Sequence, residues 1–282
     1  ALAIEDIRGA AVVLRPVFDG ADVADGFVSL EVSPHLAHDT ARTVEQARRL
    51  WRQVDLPNLL IKVPATAAGL PAVVTLIGDG INVNVTLMFS LADYEGVAAA
   101  YLAGLERCAE PSRVASVASF FISRVDSVVD AQLDAINSTE ARALRGTAAV
   151  ANACMAYRRF EEIFHGGAFA VHRDRGAKVQ RPLWASTSTK NPEYDDVKYV
   201  EELVGPETVN TIPTATLDAY RDHGRPGRAL AEGVQSCSEQ LEALHRIGID
   251  LDAVTAQLQV DGVAAFAASF DQLIAALDAA RD

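Results

Sequence analysis

A lysine stands in the middle of an apolar run. Lys62 is flanked by Leu59, Leu60, Ile61 and Val63 in the stretch 58–66, NLLIKVPAT. An ammonium stranded in apolar surroundings is very costly, so the group has to be neutralised, paired or solvated. Two chemistries fit. In one, the stem packs and the charged head snorkels to water. In the other, a desolvated amine attacks a carbonyl and forms a Schiff base. The second needs helpers: a carboxylate to move protons through carbinolamine formation and dehydration, and hydroxyl and amide groups to hold water and substrate hydroxyls. Glu31, Thr86 and Asn84, on the apolar runs either side, are of those types. The snorkelling reading leaves their clustering unexplained.

The elements that would position these residues alternate along the chain. Short apolar runs lie at 27–32, 58–65, 81–89, 114–123, 181–187 and 208–213. Stretches with helical spacing separate them, one placing Val44, Ala47, Leu50, Trp51 and Val54 on a single face. Strand and helix in alternation imply right-handed βαβ units and a mostly parallel sheet. The N-terminal stretch 1–16 reads as an ordinary amphipathic helix. Residues 124–165 read as an elaborated helical crossover. Residues 225–282 read as a tail of two or three helices, hinged at 224–228, GRPGR.

Several runs carry polar residues towards their C-terminal ends: Ser29 and Glu31; Lys62; Asn82, Asn84 and Thr86; Ser116 and Ser119; Ser186; Asn210 and Thr211. In a closed (β/α)8 barrel such residues converge on the axis at the mouth, where active sites of that architecture are built. A doubly wound nucleotide-binding sheet would instead predict a Gly-rich turn after the first strand, and neither GxGxxG nor GxxxxGK[ST] occurs. The expected fold is therefore an α/β TIM barrel. It would form one domain over 1–282, with six strands identifiable and C-terminal helices.

Composition narrows the function classes. Half of the 282 residues are hydrophobic, enough for a substantial core. A net charge of −13 argues against general nucleic-acid affinity and against a polybasic membrane anchor. No run approaches 18 consecutive apolar residues, so no membrane span is expected. Cys108, Cys154 and Cys237 lack CxxC spacing, which fits a reduced, cytoplasmic protein without structural zinc. His35 and His38 lie near Glu31 but lack a third ligand of defined geometry, so no metal is expected. His165, His172, His223 and His245 are dispersed and read as surface or helix-end residues.

The motifs LLIKVPATAAGL, VSLEVSPHLAHDT, GINVNVTLMFS, SVASFFISRVD, RPLWASTSTKNPEYDD and VNTIPTATLDAY, in this order, resemble the barrel strands of the longer bacterial and actinobacterial transaldolases. The resemblance runs from about residue 6 to 223, and more loosely through the tail. It implies that Lys62 forms the imine with a ketose phosphate, and that Glu31 and Thr86 position and activate the water of imine formation and hydrolysis. It further implies that Asn84 holds the dihydroxyacetone unit, and that Ser119 and Phe121 contact substrate. Arg124 would bind phosphate, with Lys190 as a second basic contact. The implied reaction moves a dihydroxyacetone unit from sedoheptulose 7-phosphate to glyceraldehyde 3-phosphate, a step of the pentose phosphate pathway. It needs no cofactor, because the protonated imine is the electron sink. A fructose-6-phosphate-type class I aldolase, or a truncated non-catalytic sugar-phosphate-binding homologue, remains as an alternative.

The sequence also departs from the family pattern. Two earlier strands, one with an aspartate acid/base and one with a Thr-Asn-Pro stretch, have no counterpart here, and Asp6 lies on an expected helix. The sequence opens on Ala1 rather than methionine, consistent with a start further upstream. Six strands leave open edges, so a homo-oligomer by strand exchange is a possible partner arrangement. Sugar phosphates are the expected substrates.

Overall fold

The computed structural model describes residues 2–21, 24–227 and 229–280. Arg228, the last residue of the expected hinge, and residues 281–282 of the tail lie outside the described residues. Helix α1 (Leu2–Gly20) leads to β1 (Val28–Glu31). Three helix–strand units follow: α2 (Thr40–Val54), β2 (Leu59–Pro64), α3 (Gly69–Gly78), β3 (Val83–Met88), α4 (Leu91–Arg107) and β4 (Ser116–Phe121). The crossover holds α5 (Ser123–Ile136), α6 (Thr139–Ala143), α7 (Ala148–Phe164) and α8 (Ala170–Asp174), before β5 (Arg181–Ala185). Then come α9 (Lys198–Glu201), β6 (Val209–Asn210) and α10 (Thr214–His223). The tail is α11 (Ala229–Glu232), α12 (Val234–Arg246) and α13 (Leu251–Ala279).

All six strands are parallel and stand in chain order, β1 to β6. Parallel strands covered on both faces read as near-continuous apolar runs, and those runs form the strands here. One parity packs with the helices: Ile61, Val63, Val83, Val85 and Ala118 are fully buried in a contiguous core. The other parity faces inward. Ser29, Leu60, Asn84, Val117, Leu183 and Val209, one from each strand, line a single cavity of about 600 Å³. First and last strands sharing one cavity means the sheet is curled, as in a TIM barrel.

Local sequence explains the helix boundaries. Asp39 caps α2 by accepting from Arg42 N at 3.0 Å, and the helix buries Val44, Ala47, Leu50 and Val54 along one stripe. Ser90 and Asp93 form a reciprocal capping box at the start of α4. In the turn after β2, Gly69 N donates to Thr66 Oγ1 at 3.0 Å. A Cβ on Gly69 would stand 1.9 Å from Pro64 O, so only glycine lets α3 start so close behind the strand.

Three sequence expectations need correction. Asn82 does not reach the mouth: its amide donates to Pro57 O (2.9 Å) and Leu59 O (3.0 Å) and accepts from Ala115 N (2.8 Å), binding strand starts together. Ser116 donates to Val83 O at 2.8 Å and accepts from Gln180 Nε2 at 2.8 Å. Asn210 donates to Tyr199 O (3.4 Å) and accepts from Thr187 Oγ1 (2.7 Å), both outside the axial set. His172 lies in the last turn of α8, the helix-end alternative of its expectation, and is buried beside Phe169 with ring centroids 5.9 Å apart. In addition, α13 is long and apolar enough to cross a membrane by length and composition, a property spread over interrupted apolar residues rather than one unbroken run. The helix packs on β3 and α5.

Candidate active site

Register brings the chemistry together. Glu31 is level with Lys62 across β1 and β2, and Lys62 is level with Asn84 across β2 and β3. Level residues on neighbouring parallel strands share a face, so all three side chains point inward. Lys62 Nζ lies 3.9 Å from Glu31 Oε2, the two side chains being 24% and 30% exposed. Burial raises the Glu31 carboxyl above its ordinary range, and the Lys62 charge opposes that rise.

Asn84 is fixed by both ends of its amide. Its Nδ2 donates to Ser29 Oγ at 3.0 Å, and its Oδ1 accepts from Ser119 Oγ at 2.6 Å. The orientation of this amide is thereby set by hydroxyls on β1 and β4. Thr86 follows on the same face and is fully buried, and its Oγ1 has no hydrogen-bond partner among the described residues. Leu87, next in the chain, has a left-handed φ of 59°, and the β3–β4 register slips between Val85 and Met88. A non-glycine residue held there is strained, and the bulge bends β3 as it leaves the sheet.

The other predicted residues lie further along the strand ends. Phe121 ends β4 and packs on Phe89 at 5.1 Å. The Arg124 guanidinium, in the first turn of α5, lies 5.4 Å from the centre of the Phe121 ring. That turn is tied to the end of β5: Ser123 N donates to Ser186 O at 3.1 Å, and the two hydroxyls are 3.1 Å apart. Ser186 also has a left-handed φ, 58°. Lys190 lies four residues beyond, exposed, and donates to Ser188 Oγ at 2.6 Å. Thus Glu31, Lys62, Asn84, Ser119 and Thr86 form one inward cluster on four adjacent strands. Arg124 and Phe121 form a second group, and Lys190 is bonded to Ser188 instead.

Two contributors come from α13, in the C-terminal tail, where no motif in the sequence marks them. Gln259 Nε2 donates to Ala65 O (3.2 Å) and Leu87 O (3.1 Å), at the ends of β2 and β3. The Phe266 ring centre lies 5.4 Å from Lys62 Nζ. Phe266 also lines a smaller cavity of about 290 Å³ together with Glu31, Pro34 and Phe270. The one carboxylate–imidazole cluster with metal-ligand spacing among the described residues, Asp195, Asp196 and His223, is exposed and remote in sequence from these strands.

This inward set can support amine attack on a carbonyl with a carboxylate beside it. Comparison with known proteins points the same way. A family model described as transaldolase/fructose-6-phosphate aldolase matches residues 1–277. A transaldolase of Mycolicibacterium smegmatis is 51% identical, the match covering 98% of this chain and 77% of the relative. A transaldolase of Thiobacillus denitrificans is also 51% identical, covering 98% and 78%. A transaldolase 1 of Streptomyces coelicolor is 50% identical, covering 98% and 74%.

Proposed function

The chain belongs to the transaldolase/fructose-6-phosphate aldolase family, and from that premise we propose that it is a transaldolase working through a Schiff base on Lys62. The observation that carries the reading is the inward Lys62–Glu31 pair at 3.9 Å, beside the immobilised amide of Asn84. The substrates are sugar phosphates. The donor is sedoheptulose 7-phosphate or fructose 6-phosphate, and a three-carbon dihydroxyacetone unit passes to an aldose phosphate such as glyceraldehyde 3-phosphate.

In this reading the Lys62 amine attacks the C2 carbonyl of the ketose. The carbinolamine loses water to give an iminium, the C3–C4 bond breaks, and its electron pair enters the iminium as an enamine. Glu31 exchanges the protons of the carbinolamine stage. A carboxyl that burial holds above its ordinary value keeps its proton to higher pH, which suits such a shuttle. Thr86 Oγ1, buried without a protein partner, is poised to hold the water that is lost and later re-added. Asn84 and Ser119 hold the hydroxyls of the bound unit. Arg124, at the start of α5, takes the phosphate, for which a planar guanidinium fork and a helix N-terminus are suited. Lys190 adds a second cation from its loop. The proton of the C4 hydroxyl needs a further base. No second carboxylate stands within ion-pair distance of Lys62 among the described residues.

Borohydride trapping with fructose 6-phosphate tests the reading. The expected result is a reduced adduct located on Lys62 by peptide mass analysis, lost in Lys62→Ala, which folds normally and has no turnover. Absence of the adduct in the unaltered chain would remove the Schiff-base reading. Product analysis with and without acceptor aldehyde then separates transfer from simple aldol cleavage.

A further inference from the structure

Helix α13 crosses the C-terminal ends of β2 and β3 with one face down. Residues 259, 262, 266 and 270 are spaced by three or four and lie on that face. Gln259 is bound to Ala65 O and Leu87 O. Gly262 is pressed so close that a Cβ there would stand 3.0 Å from Leu87 Cδ2. Phe270 meets the ring of His35 edge-on at 6.0 Å, and His35 Nε2 lies 2.7 Å from Asp271 Oδ1. These contacts hold the helix on both sides of Phe266. The ring of Phe266 has Phe121 at 6.5 Å, inclined by 65°, and Lys62 Nζ at 5.4 Å.

We infer that Phe266 is a positioning residue of the reaction, an aromatic wall that stabilises the positively charged nitrogen of Lys62 in its iminium form. The inference rests on the Schiff-base reading of Lys62. An aromatic face carries negative electrostatic potential and attracts a cation within about 6 Å of its centre. The iminium is such a cation, less well served by water than a free ammonium, and it must persist until the carbon–carbon bond breaks. Glu31 supplies one counter-charge at 3.9 Å. The ring attracts ammonium and iminium alike, but unlike a second carboxylate it adds a diffuse, non-titrating stabilisation that cannot take the proton or the charge away. A leucine in this place would fill space without the potential.

The test separates electrostatics from packing. Phe266 is replaced by site-specific incorporation of mono-, di- and trifluorophenylalanine, which keep the shape of the ring while weakening its potential stepwise. Phe266→Leu and Phe266→Trp complete the series. Each protein is assayed for turnover, for the fraction of Lys62 trapped by borohydride with saturating fructose 6-phosphate, and for Tm. The expected result is a graded fall in trapped iminium and in kcat, about tenfold over the series, at unchanged Tm and KM, with Phe266→Trp retaining activity. Wild-type trapping and kcat in every fluorinated variant, with loss only in Phe266→Leu, would overturn the inference and leave the ring a packing group. If the unaltered chain gives no Lys62 adduct, the Schiff-base reading itself fails and the inference falls with it, a result distinct from a flat fluorination series.

Discussion

Asn84 and Thr86 share one face of β3 and have opposite hydrogen-bonding states. Asn84 is held by two hydroxyls, whereas Thr86 is buried with its hydroxyl unpaired. A buried hydroxyl without a partner is a net cost to the fold. In the proposed mechanism the water that this hydroxyl would hold offsets that cost. Thr86→Val keeps the volume and removes only the hydroxyl. The expected outcome is a Tm equal to or above that of the parent, with kcat lowered roughly 100-fold, the low end of what a positioned proton-transfer group contributes. Thermal denaturation and a coupled turnover assay on the same preparation check it. A lower Tm with full activity would make Thr86 structural. Asn84→Ala should behave differently and cost about 1–3 kcal/mol of stability, because it leaves Ser29 and Ser119 without their shared partner.

Among the elements, α5 carries the proposed phosphate contact and is also anchored on its hidden side. Asp126, buried, accepts from Ala149 N and from Tyr199 Oη, each at 2.7 Å, and Asp130 accepts from Gly146 N (2.8 Å) and Tyr194 Oη (2.7 Å). These bonds join α5 to α7 and to the segment that follows Lys190. Burial pushes the Asp126 carboxyl up from 3.8 to about 6, against the hydrogen bonds from Tyr199 and Ala149. A carboxyl raised in the folded state contributes stability that is fully present below 3.8 and is lost as pH rises through about 6. Between pH 8 and pH 4 this one group should therefore favour folding by roughly 2 kcal/mol at the acid end. Asp126→Asn should remove that dependence, so urea midpoints of variant and parent would converge at acid pH and separate at pH 8, the variant being the more stable there. Parallel pH curves for the two proteins would contradict it. The same scale shows what was legible in the sequence. The six strands fall within two or three residues of their apolar runs, because parallel strands buried on both faces leave continuous apolar stretches. Lys62, Glu31 and Asn84 were visible because charge and amide groups interrupt those runs. Asn82 and Ser116 interrupt them too, yet serve neighbouring strands; a polar residue in a run does not say which strand end it occupies. Phe266 left no signal, since one phenylalanine in an apolar helix resembles any other until α13 is placed across β2 and β3.

The molecule as a whole sets an open, curled sheet against a strong negative charge. Among the described residues β1 pairs only with β2, and β6 only with β5. Val28 N and Val32 N donate to Asn58 O and Lys62 O, so by alternation the N–H groups of Ser29 and Glu31 point to the free side of β1. Unpaired edge groups are a template for another strand, and pairing with a second copy would also cover the 600 Å³ cavity between the edges. A net charge of −13 opposes that encounter. The balance depends on screening, which reaches ~30 Å at 0.01 M salt and only ~3 Å at 1 M. Sedimentation velocity on this chain should accordingly show mass shifting from monomer to dimer as ionic strength rises across that range. Because edge pairing orders the strands that carry Glu31 and Lys62, the yield of borohydride-trapped Lys62 should rise with the dimer fraction. A well-folded monomer at both extremes of salt, with constant trapping, would exclude strand exchange and assign the closing of the sheet to contacts within one chain.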